Sequence, residues 1–244
     1  MLKGIYIAAS GMSYQLDAVN DVAGNLAKVS APGYKRTQMT GESFDNLVTH
    51  FAHATPFDKV GMGVRELGSV RIEGQGALVR TDNPLQVAIS GDGYFQTLTK
   101  DGRVQVTRNG DFRLDNQGFL VAQSGERVLG SNNKPLQLGV IATTDMRIRK
   151  DGTVMAGDRP VGRLKVVGPE EASTQAFPTS RLNAPERTTG YTVEQGFLEN
   201  SNVSIVAEMV NMIAVNRIYS FGQKAITTQD GLLNKTVNDL GRLS

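Results

Sequence analysis

Near the start of the chain, apolar residues recur in alternating steps of three and four: Leu2, Ile5, Ala9, Met12, Leu16, Val19, Ala23 and Leu26. Near the end, Ile205, Met212, Tyr219, Ile226, Leu233 and Leu240 return every seventh residue, with Met209 between the first two. A seven-residue repeat keeps one stripe of a helix turned toward a neighbouring helix. The spacing therefore predicts a helix at each end, the first from Leu2 to about Val29 and closed by Ala31-Pro32-Gly33, where proline disfavours helix and glycine permits the turn. The second is expected to begin after Ser201-Asn202, two good capping types, with Glu208 in its early turns to suit the helix dipole. Gly11 and Gly24 interrupt the first helix and suggest either close helix approach or a helix not meant to stand alone.

The second stripe is one-sided. Asn216, Gln223 and Asp230 occupy positions where a simple dimeric zipper would carry leucine, while Ile218, Ala225 and Leu232 widen the apolar face on the other flank. That fits a helix with several neighbours or one facing a wet channel. An ordinary amphipathic helix on a globular core is the plainer alternative.

The middle of the chain carries a different pattern. None of the eight prolines lies in 1–31 or 186–244, and 17 of the 27 glycines fall between Gly61 and Gly168. Strands are expected at Val87–Ile89, Tyr94–Thr99, Val104–Thr107, Phe119–Ala122 and Leu164–Val167, separated by Asp101-Gly102, Asn109-Gly110, Ser124-Gly125 and Asp151-Gly152. Such pairs favour tight hairpins, so successive strands should run antiparallel. The expected class is α+β: a discontinuous, terminal α-helical coiled-coil domain (1–34 with 196–244) flanking a central, mostly antiparallel β domain (76–195). Residues 35–75 read as an extended connector, with one short amphipathic turn at Phe44, Leu47, Val48 and Phe51, and 168–190 as a return connector.

Composition narrows the chemistry. With 244 residues the length fits one large domain or two small ones, and a net charge of +2 spread without Lys/Arg blocks gives no pull toward nucleic acid or anionic membrane. Absence of cysteine excludes disulfides, thiolate catalysis and cysteine-ligated metal. No stretch approaches the roughly 20 apolar residues of a membrane span. Gly11, Ser13, Gln15 and Asp17 break up any apolar core of a cleavable signal peptide, so a route that reads such a peptide is not expected.

Candidate reactive groups are sparse. His50 and His53, with Asp45 or Asp58, could be imagined as a metal site, but two histidines fall short of the usual three or four zinc ligands and read better as solvated loop residues. Gly61-Met62-Gly63 lacks the rest of a dinucleotide fingerprint, and Lys100-Asp101-Gly102 and Lys150-Asp151-Gly152 lack the acid ladder of a calcium loop. No Ser/His/acid set can be assembled. No catalytic residue, cofactor or metal is expected.

Three segments carry a resemblance. Gly24-Asn25-Leu26-Ala27-Lys28-Val29-Ser30-Ala31-Pro32-Gly33-Tyr34-Lys35 resembles the Asn-Asn-Leu-Ala-Asn-x-x-Thr-Pro-Gly-Tyr-Lys signature of the bacterial flagellar rod and hook family, with Gly24 and Lys28 in place of two asparagines. Asn83 to Phe95 is similar to its central motif. Gly196 to Val203, continuing through Glu208-Met209-Val210 to Ile213, is similar to its second signature, although Ser220-Phe221-Gly222 departs from a Glu-x-Asn run. The ending from Leu233 to Leu243 looks most like the proximal rod member, with the distal member second. The resemblance implies a structural, non-enzymatic axial subunit of the rod spanning the periplasm. It would be exported through the flagellar type III apparatus and polymerise through its terminal helices with other rod subunits and itself, taking neither nucleic acid nor small-molecule substrate. Asn25, Leu26, Ala27, Pro32, Gly33, Tyr34, Lys35, Asn202, Val203, Glu208, Met209 and Val210 would be its signature residues, and the two stripes its assembly surfaces. A coiled-coil adaptor or chaperone with an inserted β domain, and a cell-wall enzyme, are the competing readings.

Overall fold

The computed structural model describes residues 2–43, 63–139, 146–168 and 190–241. The chain divides into two compact units. Unit 1 comprises Met1–Ala27, Thr37–Ile72 and Ser204–Ser244; unit 2 comprises Lys28–Arg36 and Glu73–Val203.

Unit 1 holds both helices, α1 (Leu2–Ala27) and α2 (Ile205–Gly241), and a two-stranded ribbon of β1 (Thr37–Ser43) and β2 (Val64–Arg71). The cap of α2 is Ser204, not the Ser201-Asn202 pair: the Ala207 amide donates to Ser204 Oγ at 3.5 Å and the Glu208 amide to Ser204 O at 2.9 Å. Asn202 is drawn away from capping because its side-chain oxygen accepts from the Arg36 amide at 2.7 Å. The ribbon occupies part of the stretch expected to be an extended connector. Its strands are antiparallel, with Thr37 opposite Arg71 and a bulge at Thr40/Gly41, and they carry none of the dense apolar alternation that marks a core strand. What orders them is α1: Tyr14 donates its hydroxyl to Met39 O at 3.2 Å, and the Ser69 hydroxyl donates to Asp21 at 2.7 Å. Phe44, Leu47, Val48, Phe51 and the His50/His53 pair lie outside the described residues, as does most of the return connector.

Among the described residues unit 2 is built from thirteen strands, β3 to β15, and every ladder between them is antiparallel. Its largest sheet runs β13 (Val166–Val167), β5 (Tyr94–Leu98), β9 (Arg127–Val128), β8 (Leu120–Ala122), β7 (Phe112–Leu114), with β6 (Val104–Thr107) on β5. Beside it are a three-stranded sheet of β10 (Met146–Ile148), β11 (Thr153–Ala156) and β12 (Arg159–Arg163), and two late-closing pairs. In these pairs β14 (Tyr191–Gln195) joins β4 (Val87–Gly91), and β15 (Phe197–Glu199) joins β3 (Leu78–Arg80). Three of the expected turns are hairpins: Asp101-Gly102, Ser124-Gly125 and Asp151-Gly152 join β5–β6, β8–β9 and β10–β11. Asn109-Gly110 is not one, since β6 and β7 pair elsewhere. Gly110 is required there because its backbone lies against Val87, whose carbonyl oxygen would stand 1.6 Å from an added Cβ.

The core is equally lopsided. Val87, Ile89, Phe95, Phe112, Leu120, Val128, Leu164 and Val193 fill unit 2, with Phe95 and Phe112 edge to face at 5.2 Å. Among the described residues of unit 1 only Val22 and Met39 are buried hydrophobics. Unit 1 therefore lacks most of the apolar burial that offsets chain entropy. Limited proteolysis of the dilute monomer is expected to leave a resistant core from about Glu73 to Val203 while both helices are cut. Equal protection of α1 and α2 would contradict this.

Candidate assembly site

Within unit 1 the two helices run antiparallel. An added Cβ on Gly4 would lie 2.5 Å from the Gln229 side chain, one on Gly222 would lie 2.7 Å from Met12, and Asn25 donates to Glu208 at 3.3 Å. These contacts pair 4 with 229, 12 with 222 and 25 with 208, a single register along the whole of α1. The close approaches fall at Gly4 and Gly222. Gly11 and Gly24, which the sequence marked for that role, meet nothing within 4 Å. In the same register, α2 continues past the start of α1 by about ten residues.

The stripes divide between the helix pair and solvent. On α1, Ile5, Met12, Val19 and Leu26 are partly buried, whereas Ala9, Leu16 and Ala23 are exposed. On α2, Met212, Tyr219, Ile226 and Leu233 are partly buried, whereas Ile205 and Met209 are exposed. The side chains of Leu2 and Leu240 lie outside the described residues. The alternating covered positions come three residues after each heptad position, at Ala8, Gln15 and Val22 and at Val215, Gly222 and Gln229. Asn216, Gln223 and Asp230, four residues on, are exposed. The polar residues that seemed to spoil the stripe are thus simply outside it, and Gly222 and Gln229 replace leucine where the backbones come close.

The outward faces are strongly apolar. On α2, Val206 is 73% exposed, Val210 60%, Ile213 55% and Phe221 71%, with Met209, Ile218 and Leu232 also open; on α1, Tyr6 and Leu16 are open. So many large apolar side chains on one helical pair mark a surface made to be covered. Ala225, beside Ile218 and Leu232, is exposed as well.

The signature residues do a different job, and three of the twelve, Asn25, Lys35 and Glu208, are polar and buried. In unit 1, Asn25 and Glu208 are fully buried. Asn25 bridges helix to ribbon, donating to Thr37 O at 2.7 Å and accepting from the Thr37 amide at 2.9 Å. A buried asparagine satisfied in this way costs little and fixes one geometry. In unit 2, Lys35 and Glu199 form a buried ion pair at 2.7 Å, and Arg108 Nε donates to the other Glu199 oxygen at 2.6 Å. The Gly76 amide donates to Glu199 at 2.9 Å, and Lys35 also reaches Gly74 O at 2.9 Å. The Arg108 guanidinium spends three more donors on the carbonyls of Ile89, Gly91 and Gly93. Around this cluster Gly33 donates its amide to Glu199 O at 2.7 Å, Lys28 lies over the Tyr34 ring, and Val203 is buried. Pro32 and Leu26 are partly buried, and Ala27, Met209 and Val210 are exposed. Arg108 and Gly76 carried no sequence signal, since the segments that Glu199 joins are remote in the chain.

Burial pushes the Glu199 carboxyl up, but hydrogen bonds from Lys35, Arg108 and the Gly76 amide outweigh it and hold the carboxyl below its ordinary value of 4.5. A depressed folded-state value means stability that is whole above about pH 4.5 and is lost as pH falls through the lower folded value. Unit 2 is therefore expected to weaken below that pH, and Glu199→Gln to flatten this loss in acid titrations followed by circular dichroism. A slope unchanged by the substitution would refute it.

Among the described residues, no group of three or more His, Asp or Glu could hold a metal, and no helix is long and apolar enough to cross a membrane. The described residues offer packed helices, open apolar faces and buried polar ties.

Two family models match the chain: the C-terminal region of flagellar basal body rod FlgEFG proteins over residues 194–240, and the D1 domain of flagellar hook proteins FlgE/F/G over residues 88–156. The flagellar basal-body rod protein FlgG of Buchnera aphidicola is 31% identical over 264 residues, covering 96% of this chain and 98% of the relative. FlgG of Borreliella burgdorferi is 31% identical, covering 99% and 100%. The rod protein FlgF of Caulobacter vibrioides is 27% identical and matches the whole of both chains. Full-length similarity of this order, over both signature regions and the β core, means that this chain belongs to the flagellar basal-body rod protein family.

Proposed function

We propose that the chain is a structural axial subunit of the bacterial flagellar basal-body rod, without enzymatic activity, which polymerises through its terminal helices to form part of the drive shaft crossing the periplasm. The observation that carries this is the imbalance among the described residues of unit 1: two buried hydrophobics against a row of exposed Val206, Val210, Ile213 and Phe221. Fixing the backbone of some 25 helical residues costs on the order of 25–50 kcal/mol, and so thin a core supplies little against it. Neighbouring subunits would supply the missing burial, with coiled-coil seams forming between the helices of the assembled rod. Its partners are then other rod components and further copies of itself, and it reaches them through the flagellar type III export apparatus.

Within the rod we favour the proximal segment, the FlgF position. The FlgF relative aligns with all 244 residues in 259 positions, whereas the Buchnera FlgG relative needs 264 positions to cover 96% of the chain. The distal, FlgG position is the second reading, favoured by the higher identity of the FlgG relatives. Counting tagged copies in isolated basal bodies tests both. A few copies close to the inner membrane are expected; many copies along the outer half of the rod would move the subunit to the distal segment. A rod without the protein would contradict the whole reading.

A further inference from the structure

The backbone passes between unit 1 and unit 2 at 27/28, 36/37, 72/73 and 203/204. On the unit 2 side, the four passages converge on two neighbouring residues, Glu199 and Asn202. The first leads to Gly33, whose amide donates to Glu199 O at 2.7 Å. The second leaves from Lys35 and Arg36. Lys35 pairs with Glu199 at 2.7 Å, and the Arg36 amide donates to Asn202 at 2.7 Å. The third enters at Gly74 and Gly76, bonded to Asn202 at 2.8 Å and to Glu199 at 2.9 Å. The fourth is the run from Glu199 to Val203 itself. Glu199 is in turn joined to Arg108, whose fork reaches the carbonyls of Ile89, Gly91 and Gly93 at β4 and β5.

A buried ion cluster adds little stability over a well-packed apolar one of the same volume. What this one adds is fixed geometry: the bonds are directional, shielded from water, and satisfy almost every donor of Arg108. We propose that the Glu199–Arg108 pair is a force-transmitting anchor. It ties the four exits of unit 2 to strands β4 and β5, so that a twisting load arriving through the exits passes into the sheet instead of being absorbed by backbone rotation at residues 33–36, 74–76 and 199–203. The anchor is a property of unit 2 alone; its mechanical consequence rests on the axial-subunit reading.

Arg108→Lys keeps the charge and removes the fork. Amide exchange at Gly33 and Gly76 in the full-length protein is expected to rise about tenfold or more while the thermal transition of unit 2 persists. In a deletion strain carrying this variant, the ratio of swimming speed in viscous medium to that in ordinary medium should fall well below that given by the wild-type chain. Where Arg108→Lys does not fold, Glu199→Gln, which keeps the side chain's shape and breaks the ion pair with Arg108, makes the same test at Gly33 and Gly76. Unchanged exchange overturns the anchor, and so does accelerated exchange with an unchanged speed ratio. Failure of the wild-type chain to restore motility counts instead against the axial-subunit reading, and the exchange measurement then decides the anchor by itself.

Discussion

Cells whose only copy of this chain carries Ile226→Asp are expected to be non-motile, with rods that stop early. Ile226 is a partly covered heptad residue of α2 within the span that runs beside α1. A carboxylate there must either stay desolvated or part the helices, a cost of several kcal/mol. Unit 1 has too little buried surface to absorb it. The β core of unit 2 contains no part of α2, so its thermal transition should be unchanged. Leu16→Asp separates the two surfaces further. Leu16 is 53% exposed in the chain, so a charge there leaves the helix pair intact and disturbs only what covers that face in the polymer. Loss of motility in both variants with unaltered unit 2 melting is the expected pattern. Normal motility in both would show that neither face takes part in subunit contact.

The second large effect concerns unit 2. Glu199→Ala leaves Lys35 and Arg108 buried without their counter-charge, and removing one partner of a buried pair typically costs about 3–5 kcal/mol. That is a large part of a domain's total stability of roughly 5–15 kcal/mol. The denaturation midpoint of unit 2 should fall accordingly, whereas truncating the half-buried Glu194, whose 3.8 Å pairing is with the exposed Lys150, should change it little. A loss below about 1 kcal/mol for Glu199→Ala would mean that water enters and solvates the two cations.

The legible parts of this molecule are those written in periodicity. Seven-residue spacing located both helices and the first members of their stripes, and turn pairs located the hairpins of unit 2, because each is decided by neighbours along the chain. The seam inside the chain takes the residue before each second stripe member, Ala8, Gln15 and Val22 beside the exposed Ala9, Leu16 and Ala23. Whether a helix continues its seam three or four residues on depends on its partner, and Gly222 and Gln229 look like poor seam residues until Met12 and Gly4 are placed against them. The ribbon of β1 and β2 was read as a connector because its order comes from Tyr14 and Asp21, not from its own residues. Motif resemblance singled out Asn25, Lys35, Asn202 and Glu208. It could not supply their partners Thr37, Glu199, Arg36 and Gly74, which are set by folding at long range.

The unequal lengths of the two helices carry one more consequence. In the register that sets 4 against 229, the last ten or so residues of α2, about 15 Å of helix, extend beyond the start of α1. In the proposed polymer a neighbouring subunit would have to flank that overhang, so successive subunits would meet at staggered joints, as in brickwork, and not at one flat plane.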